Sequence, residues 1–219
     1  STSFATRARG REHSTGARDA DIPEPVSLAG GALTILAALL GHLPLSLQGR
    51  LGRVLGRLAL RLAPRRRRIA ERNIALCFPD LDAKARQRLL ERNFETTGMA
   101  VLESATAWTR DARTLAGRLD VIGAHHLQAA LAAPGGVLLL GCHLVSLELC
   151  GALLGQLADV DAVQRRGGDG ALDRLRRRGR SRHYGQLVDR DDVRTLLRRL
   201  RAGRCVWYAF DQDPGPGRG

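Results

Sequence analysis

An uncharged, largely apolar stretch of 25 residues limits how this chain can fold more than any other feature. Residues 25–49 carry no formal charge when His42 is neutral. As a helix rising about 1.5 Å per residue, the stretch would reach roughly 37 Å, against about 30 Å of bilayer hydrocarbon. We therefore predict a helix that spans a membrane or anchors deeply in it. The alternatives are a buried core helix or an interfacial hairpin, since Gly41 and Pro44 weaken the second half. A cleaved signal peptide fits poorly because the stretch begins too far into the chain.

Basic residues without acidic partners follow this stretch directly. Between positions 50 and 68 there is no Asp or Glu, but there are eight arginines, at positions 50, 53, 57, 61, 65, 66, 67 and 68. The first four recur at helical spacing and share one face, while Leu51, Val54 and Leu58 lie on other faces. This pattern favours an amphipathic helix on anionic membrane lipid, with its basic flank on the cytoplasmic side. The alternative is the solvated face of an ordinary helix.

Composition narrows the class of protein further. The 219 residues carry a net charge of +13, from 35 basic and 22 acidic side chains, and 44% of them are apolar. Such a chain can form a full hydrophobic core, and its 4% of aromatic residues argues against an aromatic platform for nucleic acid. The four cysteines form no CxxC pair, so we expect reduced thiols and neither a disulfide framework nor a zinc site.

The pattern divides the chain into a disordered leader (1–24), the membrane segment (25–49) and a globular domain (50–219). We expect the last element of this domain to lie beyond Gly219. Helical spacing runs from position 80 to about 132. Strands and helices then alternate: strand 137–142, helix 146–158, strand 159–164, helix 170–180, strand 187–188, helix 191–202 and strand 205–210. The first strand lies in a short apolar run bounded by glycine, which predicts a buried parallel strand. This alternation predicts an α/β fold with a mostly parallel sheet flanked by helices, and a site at the carboxyl ends of the strands.

A histidine stands at the end of the first strong strand. His143 follows the strand, and Glu148 lies five residues later in the first turn of the next helix, with Ser146 as a plausible N-cap. A strand–loop–helix bend could bring the imidazole and the carboxylate together, which would make His143 a general base. A structural histidine is the alternative. Cys142 is poorly placed as a partner because adjacent strand residues point to opposite faces, and no GxSxG sequence surrounds Ser146.

Two further groups stand at strand ends. Arg165 follows the second strand and begins a region with eight arginines between positions 165 and 182, which suits phosphate or an acidic protein, or is a solvated helix face. Asp211 and Asp213 follow the last strand. An Asp-x-Asp pair at this position would suit a metal site of a glycosyltransferase.

Four blocks together resemble the lauroyl/myristoyl (late) acyltransferases of lipid A biosynthesis, within the glycerolipid acyltransferase superfamily. The blocks are RRRRIAERNIALCFPDL (65–81), NFETTGMAVLESATAW (93–108), GVLLLGCHLVSLE (136–148) and LVDRDDVRTLLRRLRAGRCVWYAFDQDPGP (187–216). The resemblance implies a glycerolipid acyltransferase-like fold, with the acyltransferase domain at 50–219. It implies that His143 is a general base paired with Glu148. It also implies that Asp211 and Asp213 shape the site without a metal, and that of the usual Tyr-Arg-Pro only Arg165 is kept, for phosphate or transition-state charge.

The same resemblance implies a reaction and a location. An acyl chain would pass from acyl carrier protein to a hydroxyl of a lipid A precursor, without a cofactor, at the cytoplasmic face of the inner membrane. Three alternatives stay open: an acyl-CoA-dependent acyltransferase for another glycolipid such as a phosphatidylinositol mannoside, a metal-dependent glycosyltransferase using Asp211 and Asp213, and a non-catalytic basic protein that binds membranes.

Overall fold

The computed structural model describes residues 28–118, 120–165, 167–168 and 170–211. Eight α-helices, one 3-10 helix and four strands lie within these residues. In chain order they are α1 (Leu28–Gly41), α2 (Leu45–Leu62), α3 (Pro64–Cys77), α4 (Ala83–Thr109), the 3-10 helix (Ala112–Arg118), α5 (Ala124–Ala132), β1 (Val137–Gly141), α6 (Leu147–Leu157), β2 (Val160–Gln164), α7 (Ala171–Arg180), β3 (Leu187–Asp189), α8 (Val193–Arg201) and β4 (Cys205–Ala209). The predicted leader at 1–24 lies outside the described residues.

The four strands form one parallel sheet in the order β1-β4-β2-β3. Parallel strands need crossover connections, and α6, α7 and α8 supply them. The predicted mixture of helices with a parallel sheet is confirmed. Because all four strands run the same way, the residues that follow β1, β2 and β4 meet at one edge of the sheet.

Burial differs sharply between the central strands and β1. Val160 and Val206, in the central strands β2 and β4, are fully buried. The strand at 137–142 is predicted to be buried, but Leu138 and Leu140 of β1 are about half exposed. Edge position alone is not the reason, since Val188 of the other edge strand, β3, is buried. Leu138 and Leu140 lie on one face of β1, and among the described elements β1 makes its main contacts with β4 and none of comparable extent with a helix.

The uncharged stretch at 25–49 does not form one continuous helix. The helix α1 ends at Gly41, α2 begins at Leu45, and the two are bent by 119°. Pro44 lacks an N–H and restricts Leu43, which ends α1. No single helix in the described part of the chain is long and apolar enough to cross a membrane, whereas α1 and α2 together reach that length and composition as a bent pair.

Buried hydrogen bonds hold this bend, which we call the elbow (residues 41–48). The Gln48 side chain is 2% exposed and donates to the carbonyl oxygens of Gly41 and Leu43, at 3.2 and 2.9 Å. Thr106 of α4 donates to the Gln48 side-chain oxygen at 2.9 Å and lies 3.1 Å from the Gly41 carbonyl oxygen. Carbonyl groups at the end of α1 are thereby satisfied without water.

The helix α2 packs on α4 through glycine. A Cβ on Gly56 would lie 2.2 Å from the Phe94 carbonyl oxygen, and one on Gly98 would lie 2.1 Å from that of Gly52. The two backbones therefore touch directly. With its glycine face against α4, α2 leaves its arginines exposed. Most of its large apolar side chains are exposed as well, namely Leu47, Leu51, Val54, Leu55, Leu58 and Leu62.

Candidate active site

His143 and Asp211 meet at the carboxyl edge of the sheet. They follow the neighbouring strands β1 and β4, which are paired as far as Gly141 and Ala209. The imidazole Nδ1 lies 2.7 Å from Asp211 Oδ1, and the backbone N–H of His143 donates to Asp211 Oδ2 at 2.8 Å. One carboxylate thus holds both the ring and the backbone of His143. The side chains remain 39% and 32% exposed, so a substrate can reach them.

The charge of Asp211 sets the tautomer of the neutral imidazole. The hydrogen bonds from the His143 side chain and backbone lower the pKa of Asp211 below its usual 3.8. Asp211 is therefore an anion at neutral pH and can only accept hydrogen bonds. The proton of neutral His143 must then sit on Nδ1, which leaves Nε2 with a free lone pair. This tautomer is the one that a general base needs.

Glu148 makes different contacts from those expected. It lies in the first turn of α6, as predicted, and accepts a hydrogen bond from the indole Nε1 of Trp108 at 2.8 Å. Arg180 of α7 donates to it through both Nε, at 3.1 Å, and Nη2. The remaining Arg180 nitrogen, Nη1, donates to Gln164 at 2.8 Å. The hydrogen bonds described for Glu148 thus run to Trp108 and Arg180, and the carboxylate on His143 is that of Asp211.

The space around Glu148 is small. The cavity that it lines with Arg180 and Tyr184 measures about 20 Å³, which holds about one water molecule. Burial raises the pKa of Tyr184 to about 12, so this hydroxyl is neutral at physiological pH. The arrangement suits a carboxylate that positions its neighbours, with α4, α6 and α7 joined at one point.

The other predicted site residues are Arg165, Asp213 and Ser146. Arg165 is exposed beyond the end of β2, at the same edge of the sheet as His143. Asp213 lies outside the described residues. Ser146 occupies the N-cap position of α6, but its side chain makes no capping hydrogen bond.

The remaining reactive side chains are the cysteines and the side chains that could bind a metal ion. All four cysteines are free thiols, and Cys142, beside His143, is exposed. Within the ranges that the structure describes, no group of three or more His, Cys, Asp or Glu side chains is arranged to hold a metal ion.

Sequence reasoning missed Trp108 and Arg180. Arg180 is one of eight arginines between positions 165 and 182, and nothing local distinguishes it from the others. Trp108 ends the second block of the resemblance, and an aromatic residue near a helix end is usually read as core. Its contact with Glu148 spans 40 positions and depends on how α4 packs against α6.

Comparison with known proteins identifies the same family as the four sequence blocks. The model of a family described as bacterial lipid A biosynthesis acyltransferase matches residues 27–219. The lipid A biosynthesis lauroyltransferase of Escherichia coli K12 is 37% identical over 81% of this chain and 58% of its own length. The palmitoleoyltransferase of the same organism is 33% identical over 75% of this chain and 54% of its own, and the myristoyltransferase 27% over 74% and 51%.

This chain therefore spans a little more than half the length of the curated relatives it matches. The matched region contains every described element of the sheet as well as the His143 and Asp211 pair. On the extent of that match, the chain belongs to the bacterial lipid A biosynthesis acyltransferase family.

Proposed function

We propose that the protein transfers a fatty acyl chain from acyl carrier protein to a hydroxyl of a lipid A precursor, with His143 as the general base. The observation that carries this proposal is the His143–Asp211 pair, an exposed imidazole whose Nδ1 is held by an ionised carboxylate. Family membership supports the class of reaction. The imidazole geometry supports the role of the base.

The proposed chemistry needs one proton carrier. His143 Nε2 takes the proton of the acceptor hydroxyl while the hydroxyl oxygen attacks the thioester carbonyl carbon. The tetrahedral oxyanion collapses, the carbon–sulfur bond breaks, and the leaving thiolate receives the proton from the imidazolium. The products are an ester and the carrier thiol. Asp211 stabilises the imidazolium and keeps Nε2 directed outward. In this proposal Arg165, at the same sheet edge, binds phosphate or transition-state charge.

Glu148 takes a positioning role in this scheme. Its carboxylate is held by Arg180 and Trp108, so it fixes α6 against α7 and α4 close to the loop that carries His143. This differs from a direct His143–Glu148 pair, and a comparison of variants separates the two. A direct partner affects the pH profile of kcat, whereas a positioning residue affects stability and kcat without moving that profile.

The proposed location is the cytoplasmic face of the inner membrane, on anionic lipid. Support comes from the surface of α2, where exposed apolar side chains such as Val54 (61%) and Leu62 (71%) alternate with exposed arginines. Apolar side chains enter the headgroup boundary and arginines pair with lipid phosphate. Leu28, Ile35 and Leu39 of α1 are exposed as well.

The test uses the full-length protein with acylated carrier protein and a lipid A precursor, and follows the product by mass spectrometry. His143→Ala should lower kcat by about 100-fold or more. His126→Ala, an exposed histidine of α5, is the matched control and should retain full activity. Equal activity of the His143→Ala protein and the wild type would remove the proposed base.

Two results would favour an alternative function, and a third would contradict the proposed one. Faster transfer from acyl-CoA than from carrier protein would indicate a different glycolipid acyltransferase. Loss of activity in a chelator would favour the metal-dependent glycosyltransferase. A lipid A mass that does not change when the gene is deleted would contradict the proposed role in the cell, for which the loss of one acyl chain is expected.

A further inference from the structure

A recess with positive walls lies between α1, the end of α4 and α7. Its volume is about 210 Å³, more than the roughly 150 Å³ that admits benzene in an engineered protein cavity. We call it the basic groove and define it by Thr34, Ala38, Trp108, Arg174, Arg178 and Arg182, which line it. Neither the sheet edge nor His143 contributes to its lining. The groove is therefore separate from the site of the acyl transfer.

The groove combines guanidinium groups with an apolar floor. Arg174 and Arg178 project from α7, and Arg182 follows that helix. Ala38 and Leu175 form part of the apolar floor. Leu175 also belongs to a buried apolar cluster with Ala37 and Ala105. Among the described lining residues there is no Asp or Glu. The guanidinium groups of Arg178 and Arg182, with no carboxylate among the described lining residues, favour an anion, and the floor favours an apolar group attached to it.

Arg182 is already oriented by α4. Its Nη1 lies 3.3 and 3.2 Å from the carbonyl oxygens of Trp108 and Thr109, at the carboxyl end of that helix. Those contacts fix the side chain before any ligand arrives, which lowers the entropic cost of binding. Trp108 lines the same groove and donates its indole N–H to Glu148. Trp108 thus contacts both the basic groove and the Glu148 carboxylate.

From this geometry we propose that the basic groove binds the phosphate group of a lipid and, resting on the proposed function, that this lipid is the acyl acceptor. A concave recess of this size admits a phosphorylated head group, whereas a folded carrier protein is too large to enter it. Its α1 wall belongs to the helix that exposes Leu28, Ile35 and Leu39. A lipid that enters beside α1 can keep its chains on that apolar surface while its phosphate meets the arginines.

Binding is tested by calorimetry on the full-length protein in neutral detergent. The probe is dihexanoyl phosphatidic acid below its micelle concentration, with dihexanoyl phosphatidylcholine and inorganic phosphate as separate arms. We expect saturable binding of phosphatidic acid, none of phosphatidylcholine, and much weaker binding of phosphate alone. Arg178→Gln should weaken binding about tenfold, the lower end for a hydrogen bond between charged groups. Arg177→Gln, on the same helix but outside the groove lining, should leave it unchanged.

Several outcomes would overturn the inference. Equal weakening by Arg177→Gln would indicate a general charge effect, and equal affinity for inorganic phosphate would indicate a simple anion site. Loss of carrier-protein binding in Arg178→Gln, with lipid binding intact, would assign the groove to the carrier. An Arg178→Gln protein whose KM for a phosphorylated acceptor stays at the wild-type value would remove the acceptor role, for which about a tenfold rise at similar kcat is expected.

The same titration on the His143→Ala protein separates this inference from the proposed function. Lipid binding that persists in this protein supports the groove whether or not the wild type transfers acyl chains. Lipid binding that is absent from both proteins overturns the groove, and leaves the assignment of the base to the activity assay.

Discussion

Replacement of Gly56 by alanine tests whether direct backbone contact joins α2 to α4. The added Cβ would lie 2.2 Å from the Phe94 carbonyl oxygen, while ordinary contact begins at 3.4 Å, so the helices must separate by about 1.2 Å. The neighbouring atoms are backbone and cannot rotate away. Overpacking of this kind costs about 1–3 kcal/mol. The gain in helix propensity from glycine to alanine, up to about 1 kcal/mol, offsets only part of this cost.

Gly49 offers a matched control on the same helix. A Cβ there would lie 3.7 Å from Arg53 and 3.8 Å from Met99, which are ordinary contacts. Gly49→Ala should therefore gain the helix propensity without the clash and stabilise the protein by about 0.5–1 kcal/mol. Gly98→Ala applies the clash from the other helix, since its Cβ would lie 2.1 Å from the Gly52 carbonyl oxygen. It should behave like Gly56→Ala.

The assay is thermal unfolding of the full-length protein in detergent, followed by circular dichroism. A domain of this size shifts by about 2–4 °C per kcal/mol. We expect Gly56→Ala to unfold about 6 °C below Gly49→Ala, given a difference of about 2 kcal/mol. A Gly56→Ala protein that unfolds at the same temperature as Gly49→Ala, or above it, would refute the direct contact of the two backbones.

Three other predictions concern charged side chains. Asp161 is fully buried and pairs with Arg199 and Arg204. Asp161→Ala should therefore lower the free energy of unfolding, measured by chemical denaturation, by about 3 kcal/mol. Asp159 is half exposed, so Asp159→Asn should lower it by at most about 1 kcal/mol. Arg180→Met leaves the largely buried Glu148 without its ion pair and should cost about 2 kcal/mol; unfolding at the wild-type denaturant midpoint would contradict that pairing. The lowered pKa of Asp211 means that its contribution to stability is present above its ordinary pKa of 3.8 and is lost as the pH falls through the lowered value. The unfolding midpoints of Asp211→Asn and the wild type should therefore differ at neutral pH and converge at strongly acidic pH; a constant difference would be contrary to the linkage.

The order of elements could be predicted from the sequence, but the order of strands could not. Short runs rich in apolar residues located β1, β2 and β4, and glycine bounds the first of these runs. The insertion of β4 between β1 and β2 depends on tertiary packing, which no local pattern encodes. The predicted burial of β1 is wrong because, among the described elements, β1 packs mainly on β4 and not on a helix, which is also a matter of tertiary packing.

The same limit applies to the site. His143 and Asp211 were each identified from their positions after strands, since the carboxyl ends of parallel strands share one edge. Their direct contact spans 68 positions and requires β1 and β4 to be neighbours. The expected partner, Glu148, follows from the family resemblance and from a bend between β1 and α6, whereas its contacts with Trp108 and Arg180 depend on how α4 and α7 pack. Asp213 lies outside the described residues, so its assignment stays a prediction.

The elbow between α1 and α2 has a consequence for substrate selection. Gln48 and Thr106 lock the bend onto α4, and Trp108 of α4 donates to Glu148 of α6, the helix that follows His143. These contacts hold the two N-terminal helices in one orientation relative to the catalytic edge. If α1 and α2 rest on lipid as proposed, His143 sits at a constant depth relative to the bilayer plane. A lipid with several hydroxyl groups then presents only those at the matching depth. The choice of hydroxyl group would then depend on its depth in the bilayer. The packing of α1 and α2 on α4 would set that depth before any side chain recognises the acceptor.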